Sequence, residues 1–282
     1  MVENNILGSK QMKRAALILV LALLLVVMFF QMKKRRSNFR EKGSNIGNIL
    51  CTYFYDMGCH WRDGKKFMLN SIDDRDFYKN FPTEVDIPAD LPTLPVLKGE
   101  PDSFSVWHLQ TDEALEFWSK MKPYIHKILS ETLVKSGLQV EQKNPVIHFR
   151  CADIPFNKHP EYQLLKYDFY KKALGDQTVV DIIYCNTHQT SELEQKACDE
   201  YAEYLKSELA PIRANITCGS INEDFARMFY APMCISSGSS MSFMAGYFGK
   251  GTFVRWDEKY GVDHDLVNDY YDTKYVHENY LR

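Results

Sequence analysis

Patterns typical of strands and of helices alternate through the second half of this chain, and that alternation constrains its fold more than any other feature. Apolar runs of the kind found in buried strands occupy residues 145–150, 178–185, 233–236 and 252–256. Segments with apolar residues at helical spacing separate them. Such alternation is typical of a parallel sheet with helices on both faces. We therefore predict an α/β fold with a doubly wound parallel sheet.

The ends of the helices are predicted from capping residues and from glycines. In the second half we expect helices at residues 168–174, 191–209, 221–229 and 241–248, with Asn222 as the cap of the third. In the first half we expect a helix from about 49–54 and a long one over 111–136, joined by Asp- and Pro-rich loops at 71–102.

An apolar segment near the N-terminus predicts a single membrane anchor. We expect a polar tail at residues 1–14, a transmembrane helix at 15–32 and a short basic stem at 33–42. A cleaved signal peptide and a buried core helix are the alternatives. The segment has no small-residue cleavage site and is apolar on every face, so both alternatives fit it poorly.

The orientation of this anchor is left open by two conflicting signals. Basic residues after the apolar segment outweigh those before it, and the positive-inside rule then favours a cytoplasmic location for the residues that follow the anchor. A type II protein of the Golgi or endoplasmic reticulum would need the opposite orientation. The sequon Asn215-Ile216-Thr217 would fit that second case, although such triplets often arise by chance.

Charge and cysteine usage exclude several classes of function. The formal net charge of the 282 residues is -3, so no bulk attraction to nucleic acid is expected. The cysteines are scattered without a Cys-x-x-Cys pair, which argues against a zinc cluster. Their positions do not fix which of them form disulfides.

The stretch Pro145–Asp153 concentrates polar residues at the end of a predicted buried strand. Strand alternation places His148 and Arg150 on one face, and a core strand rarely carries such side chains without a partner. Ligands of open α/β sheets bind outside the carboxyl ends of the strands. Two interpretations stay open: Arg150 binds an anion such as a diphosphate, or it pairs internally with Asp153.

Two further segments have features of an anion site. The serine-rich segment 236–242 lies between a predicted strand and a predicted helix, where hydroxyls and helix N–H groups suit an anion. Gly43 and Gly47 precede another helix and permit close approach of a ligand. Each signal alone is also consistent with an ordinary serine cap or an ordinary turn.

Taken together and in order, three motifs resemble the fucosyltransferase superfamily. The likeness is strongest to the α1,2-fucosyltransferases (family 11-like glycosyltransferases) and weaker to the α1,6- and protein O-fucosyltransferases. Gly43-x-x-x-Gly47-Asn48 is similar to that family's Gly-Gly-Leu-Gly-Asn-Gln turn. Residues 148–153 are similar to its His-x-Arg-Arg-Gly-Asp, and residues 239–247 to its Ser-Ser/Thr-Phe-Ser-Trp-Trp-Ala-Ala-Tyr.

The chain departs from the family pattern at several of these positions. Cys151 and Ala152 stand where the family has Arg and Gly, and Ile49 stands where it has Gln. The aromatic residues of the family's serine segment are replaced by Met241, Phe243 and Met244. These changes bear on the choice of sugar and base.

The resemblance implies a GT-B-like pair of Rossmann-type lobes behind the transmembrane helix. The glycosyltransferase domain would occupy residues 43–282, with an acceptor-side lobe at about 43–144 and a donor-side lobe at about 145–282. It implies transfer of fucose from GDP-fucose to a glycan hydroxyl with inversion and without a metal or a further cofactor. The implied partners are a nucleotide sugar, a glycan or glycoprotein acceptor and, through residues 15–32, the lipid bilayer.

The resemblance also implies roles for the matched residues. We expect Arg150 to bind the β-phosphate, because the charge of the leaving diphosphate must be stabilised as it grows. His148 positions the donor or is an ordinary strand histidine. Asp153 acts as a base or, since a carboxylate beside arginine has a lowered proton affinity, orients Arg150. The serine hydroxyls expected beside the diphosphate are those of Ser239, Ser240 and Ser242.

Three more residues are assigned to the donor site with alternatives. Gly47 and Asn48 are expected near the donor, with Asn48 contacting the diphosphate or the acceptor. Asp224 binds the guanine edge or is an ordinary acid at a helix N-terminus. For the whole chain, the alternatives are the same fold with another nucleotide sugar, or an inactive membrane-anchored protein that binds a glycan or a partner.

Overall fold

A five-stranded parallel sheet forms the centre of the fold. The computed structural model describes residues 46–68, 78–91, 93–97, 112–151, 164–184 and 192–255. In chain order the strands are β1 (Phe67–Met68), β2 (Glu84–Val85), β3 (Val146–Phe149), β4 (Val179–Tyr184), β5 (Arg213–Ile216), β6 (Met233–Ser236) and β7 (Thr252–Arg255). The large sheet has the order β5-β4-β3-β6-β7, while β1 and β2 form an antiparallel ribbon. The predicted α/β fold with a parallel sheet is confirmed.

Helices connect the strands and cover the sheet. They are α1 (Ile46–Arg62), α2 (Asp112–Lys135), α3 (Tyr167–Leu174), α4 (Glu192–Glu208), α5 (Ile221–Tyr230) and the single turn α6 (Ser240–Ser242). A 3-10 turn spans Tyr78–Asn80, and a π-helix at Phe243–Tyr247 continues α6. The long helix predicted before Gly137 is confirmed, and that glycine adopts a φ of 67° beyond its end.

The order of the strands creates a switch point between β3 and β6. From the central strand β3 the chain builds outward through β4 to β5, and α5 then carries it back to β6 on the other side of β3. In this register Ile147 lies beside both Ile182 and Ile235, and His148 lies beside Ser236. Doubly wound sheets bind ligands in the crevice at such a switch point, outside the carboxyl ends of the strands.

One face of the sheet is packed by α3 and α4. Ile147 and Phe149 lie in a buried cluster with Tyr201 and Leu205 of α4. The ring of Phe149 stacks on that of Tyr184 with centroids 5.0 Å apart and meets Tyr201 edge-on at 5.0 Å. The opposite face carries Val146 and His148 by strand alternation, and α5 packs against β3 and β6 there.

The first two helices pack on the segment that follows β6. Gly58 of α1 lets α2 approach, since a Cβ built there would lie 2.4 Å from the ring of Phe117. Trp118 of α2 meets Phe243 and Phe248 with ring centroids 5.7 Å apart in each case. Within the described parts of residues 46–144 there are two α-helices, one 3-10 turn and an antiparallel ribbon, and no parallel sheet.

Several element ends differ from the predicted ones. Ser220, not Asn222, caps α5: its hydroxyl accepts from the Glu223 amide at 3.3 Å, and the Glu223 carboxylate accepts from the Ser220 amide at 2.7 Å. The Ser-x-x-Glu pattern that begins one residue before the helix is the signal that was overlooked. Strand β5 was not predicted, because its four residues alternate between polar and apolar and follow closely after Pro211.

The glycosylation sequon lies on this unpredicted strand. The Asn215 side-chain amide donates to the carboxylate of Asp181 at 3.0 Å. Asp181 is buried on β4 and also accepts from Gln142 at 2.7 Å and from Asn144 at 3.2 Å. A glycan would be attached through the nitrogen that Asn215 uses here, so in this fold Asn215 satisfies a buried carboxylate.

The predicted tail, anchor and stem at residues 1–14, 15–32 and 33–42 lie outside the described residues. Among the residues that are described, none of the helices has the length and apolar character needed to cross a membrane.

Candidate functional site

The polar end of β3 and the serine segment meet at the switch point of the sheet. Arg150 follows the last residue of β3, and Ser237 follows the last residue of β6. The Arg150 amide donates to the Ser237 hydroxyl at 2.8 Å, and the Ser237 amide donates to the His148 carbonyl at 3.1 Å. Two motifs separated by 87 residues in the chain are therefore adjacent at the carboxyl edge of the sheet.

Residues 236–242, which we call the serine bend, are shaped by their own hydroxyls. Gly238 takes a φ of 91°, a conformation that favours glycine, and its amide donates to the Ser236 hydroxyl at 3.1 Å. The hydroxyls of Ser236 and Ser242 are 2.6 Å apart, and Ser242 also donates to the Ser239 carbonyl at 3.0 Å. All the serines of the bend are buried, so their hydroxyls maintain its shape.

The end of the bend begins a short and irregular helix. The Ser239 hydroxyl accepts from the Met241 amide at 3.2 Å, which makes Ser239 the cap of α6. The ordinary serine cap that the sequence left open is thus present. The chain then enters the π-helix at Phe243–Tyr247, a conformation that is rare and is often found at functional sites.

The first turn of α1 packs directly on the serine bend. A Cβ built on Gly47 would lie 2.2 Å from the Met241 amide nitrogen, so only glycine permits this approach. The Ser240 hydroxyl donates to the side-chain oxygen of Asn48 at 2.6 Å. The helix starts at Ile46, so Gly47 and Asn48 lie inside it and not in the loop predicted before it. Gly47 permits this contact between two backbones, and its place near the donor stays a prediction.

His148 is a buried and neutral histidine beside Arg150. Its side chain is 2 % exposed, and its Nδ1 atom has no hydrogen-bond partner among the described residues. Burial, and secondly the positive charge of Arg150, lower its pKa from 6.5 to about 4. At neutral pH the imidazole therefore presents one N–H donor and one acceptor without a charge.

Asp224 lies at the start of α5, beyond the carboxyl end of β5. Its carboxylate accepts from the Gly219 amide at 3.1 Å and lies 3.6 Å from the Arg227 guanidinium. Burial raises the pKa of Asp224 from 3.8 to about 6, and these two contacts oppose that rise. Asp224 is therefore both an acidic residue at a helix N-terminus and a buried carboxylate with a raised pKa.

The two buried groups are expected to give opposite pH dependence of stability. The unfolded chain protonates His148 below pH 6.5 and the native chain only near 4, so His148 makes stability rise with pH by about 3 kcal/mol across that window. Asp224 does the reverse between 3.8 and about 6, because the native state holds the proton longer. Urea unfolding from about pH 4 to about pH 7 measures the sum of the two contributions in the wild-type chain.

The variants that separate these contributions are His148→Gln and Asp224→Asn. Relative to wild type, His148→Gln should lose stability as pH rises and Asp224→Asn should gain it. If His148→Gln and wild type had the same pH dependence, His148 would not be held neutral by the fold.

A disulfide holds the residue that follows Arg150. Cys151, which stands where the resembling family has a second arginine, is bonded to Cys198 of α4. Both cysteines are fully buried. The sequence could not have assigned this pair, because seven cysteines allow many pairings. Asp153 lies outside the described residues, so its pairing with Arg150 stays a prediction.

Two tyrosines near this edge have polar contacts that the sequence did not indicate. The fully buried Tyr170 hydroxyl faces Ser237 and Tyr201, and burial raises its pKa. The Tyr184 hydroxyl, at the end of β4, donates to Asp199 at 2.5 Å. Both tyrosines continue strands or helices with apolar patterns, so the sequence indicates packing and gives no signal of their polar contacts.

The end of β3 therefore carries Arg150 and a neutral histidine, next to a bend that its own hydrogen bonds hold in shape. Such an arrangement suits an anion with oxygen atoms to share among donors. Within the described ranges, no three His, Cys, Asp or Glu side chains are grouped to hold a metal ion.

Comparisons with known proteins identify no relative of this chain. The chain matches no protein-family model, no curated protein and no solved structure.

Proposed function

We propose that this protein is a glycosyltransferase that binds the diphosphate of a nucleotide sugar at the switch point between β3 and β6. The observation that carries the proposal is the hydrogen bond between the Arg150 amide and the Ser237 hydroxyl. It joins the strand end that carries Arg150 to the serine bend at the carboxyl edge of the sheet. The motif resemblance supports GDP-fucose as the donor and a glycan hydroxyl as the acceptor, with inversion.

Transfer of the sugar requires a positively charged group beside the leaving diphosphate, because the diphosphate gains negative charge in the transition state. Arg150 supplies a planar guanidinium that binds phosphate oxygens in pairs. The serine hydroxyls are engaged within the bend, with the Arg150 amide and with Asn48. The amides of Ser237, Gly238 and Met241 also donate to groups of the protein. We therefore assign the bend's contribution to its shape. His148 is assigned the position of a neutral donor or acceptor toward the diphosphate, and Asp153 the orientation of Arg150. Asp224 is assigned to the guanine edge.

The larger architecture is proposed on the same resemblance. Residues 43–144 would contribute an acceptor-side lobe and residues 145–282 the donor-side lobe of a GT-B-like pair, with residues 15–32 as the membrane anchor. The Cys151–Cys198 bond supports a lumenal orientation, because disulfides persist in oxidising compartments. The basic residues that flank the predicted anchor favour the opposite, cytoplasmic orientation.

Replacing Arg150 is expected to weaken donor binding without unfolding the protein. In a thermal-shift and calorimetric panel, GDP and GDP-fucose should stabilise the wild-type chain and UDP should not. Arg150→Ala should weaken GDP binding by about 2 kcal/mol, roughly 30-fold, through loss of charge-assisted hydrogen bonds.

The matched control is Arg213→Ala. Arg213 is an exposed arginine at the start of β5, on the opposite edge of the sheet, so its loss should leave GDP affinity unchanged. Equal affinities for the Arg150→Ala and wild-type chains would contradict the proposed site. No response to any nucleotide would contradict the enzyme class.

A second candidate, a protein of this fold that binds without catalysing transfer, is favoured by one observation. The position of the family's second arginine is a cysteine locked in a disulfide and cannot contact a ligand. Incubation of the full chain with labelled GDP-fucose and other labelled nucleotide sugars separates the candidates: an enzyme hydrolyses or transfers one of them, and a binding protein returns all of them intact.

A further inference from the structure

We infer that the Cys151–Cys198 disulfide positions Arg150, in addition to stabilising the fold. The inference rests on the proposed function for its ligand readout only. The chain is held on both sides of Arg150, by a hydrogen bond on one side and by the disulfide on the other.

Arg150 lies beyond the ladder of hydrogen bonds that fixes β3. The pairing of β3 with β4 ends at Phe149 opposite Tyr184, and the pairing with β6 ends at His148 opposite Ser236. Phe149 itself is held by its ring contacts with Tyr184 and Tyr201. Arg150 is thus the first residue after the paired part of β3.

Two restraints hold the main chain at this position from opposite sides. On one side the Arg150 amide donates to Ser237 of the serine bend at 2.8 Å. On the other side the next residue is covalently bonded to α4 through Cys198, with the two Cα atoms 5.8 Å apart. One restraint ties the strand end to β6 and the other ties it to the helix layer on the α4 face.

Together these two restraints fix the position of the Arg150 backbone relative to both β6 and α4. A guanidinium at the end of a long side chain binds phosphate well only when its base is held in place, since each freed rotamer lowers the gain from the same contacts. The disulfide to α4 therefore restrains the backbone of Arg150, as hydrogen bonds from neighbouring residues restrain the side chains of other binding sites.

The test compares the full-length wild-type chain with the double variant Cys151→Ala/Cys198→Ala and with Leu205→Ala. Leu205 is a fully buried residue of α4 in the same cluster, so its loss also destabilises the fold but leaves the end of β3 tied. A second version, Cys151→Val/Cys198→Ala, keeps more of the buried volume should the first fold poorly.

Two readouts are measured under conditions where each chain is folded. The first is the hydrogen-exchange rate of the Arg150 amide, by mass spectrometry with fragmentation that resolves single amides. We expect it to rise at least about tenfold in the cysteine variants relative to Leu205→Ala. The second is GDP affinity by calorimetry, expected to fall about tenfold in the cysteine variants and to stay unchanged in Leu205→Ala.

The outcomes separate this inference from the proposed function. An Arg150 amide that exchanges equally in the cysteine variants and in Leu205→Ala would overturn the positioning role, whatever the ligand. Unchanged GDP affinity in the cysteine variants would overturn it too. A wild-type chain that does not bind GDP would count against the proposed function, while the exchange readout would still decide the role of the disulfide.

Discussion

Loss of the Cys151–Cys198 bond is expected to lower the free energy of unfolding by about 4 kcal/mol. The bond closes a loop with a sequence separation of 47 residues, and the unfolded chain regains the freedom that this closure removes. Both cysteines are buried in the cluster between the sheet and α4, so the variant also loses packing there. Urea unfolding of wild type and Cys151→Ala/Cys198→Ala measures the difference.

The control for this prediction is Cys218→Ser, which changes an exposed free cysteine. We expect that variant to stay within about 0.5 kcal/mol of wild type. Peptide mapping without reductant should recover Cys151 and Cys198 in one cross-linked fragment. If reductant left the urea midpoint of the wild-type chain unchanged, the bond would not form or would not contribute.

Gly47→Ala is expected to destabilise the protein by about 4 kcal/mol, above the ordinary range of about 1–3 kcal/mol for overpacking. The added Cβ would lie 2.2 Å from the Met241 amide nitrogen and 2.4 Å from the Ser240 carbonyl carbon. Both are backbone atoms, so no side chain can move aside. Relief requires α1 to leave the serine bend, which also breaks the hydrogen bond between Ser240 and Asn48.

Two further variants make this prediction specific. Gly137→Ala adds a Cβ where nothing lies within 4 Å but where φ is 67°, so it should cost only about 1–2 kcal/mol. Ser240→Ala in the Gly47→Ala chain removes the hydroxyl but not the two backbone contacts, and it should not restore stability. A Gly47→Ala chain with wild-type stability in chemical denaturation would mean that α1 does not pack on the bend.

The sequence was sufficient for the sheet because its signals are local. Each predicted strand run contains an observed strand, and the polar end of β3 was placed at the carboxyl edge from alternation and fold class alone. Strand β5 was missed because an edge strand of four residues with two polar side chains has no apolar run to detect. The Ser220 cap was missed because a weaker cap signal at Asn222 was preferred to the capping box.

The candidate site was predicted in its parts and not in its contacts. Arg150 and the serine bend were proposed as neighbours from their motifs, yet the sequence does not reveal that the serine hydroxyls bond to one another. The sequence did not indicate that another backbone approaches Gly47, because a glycine that permits close approach is the same in sequence whether a phosphate or a backbone approaches. The disulfide depends on distances between chain-distant residues, which no local pattern encodes.

The packing of α2 has a practical consequence for dividing the chain. Trp118 covers Phe243 and Phe248, and His126 bonds to the Phe248 carbonyl at 2.8 Å while its ring stacks on Phe229. A truncation that starts at residue 145 would retain every strand of the parallel sheet and expose these aromatic surfaces to water. We expect such a fragment to aggregate, so future dissection should keep the long amphipathic helix with the half of the molecule it shields.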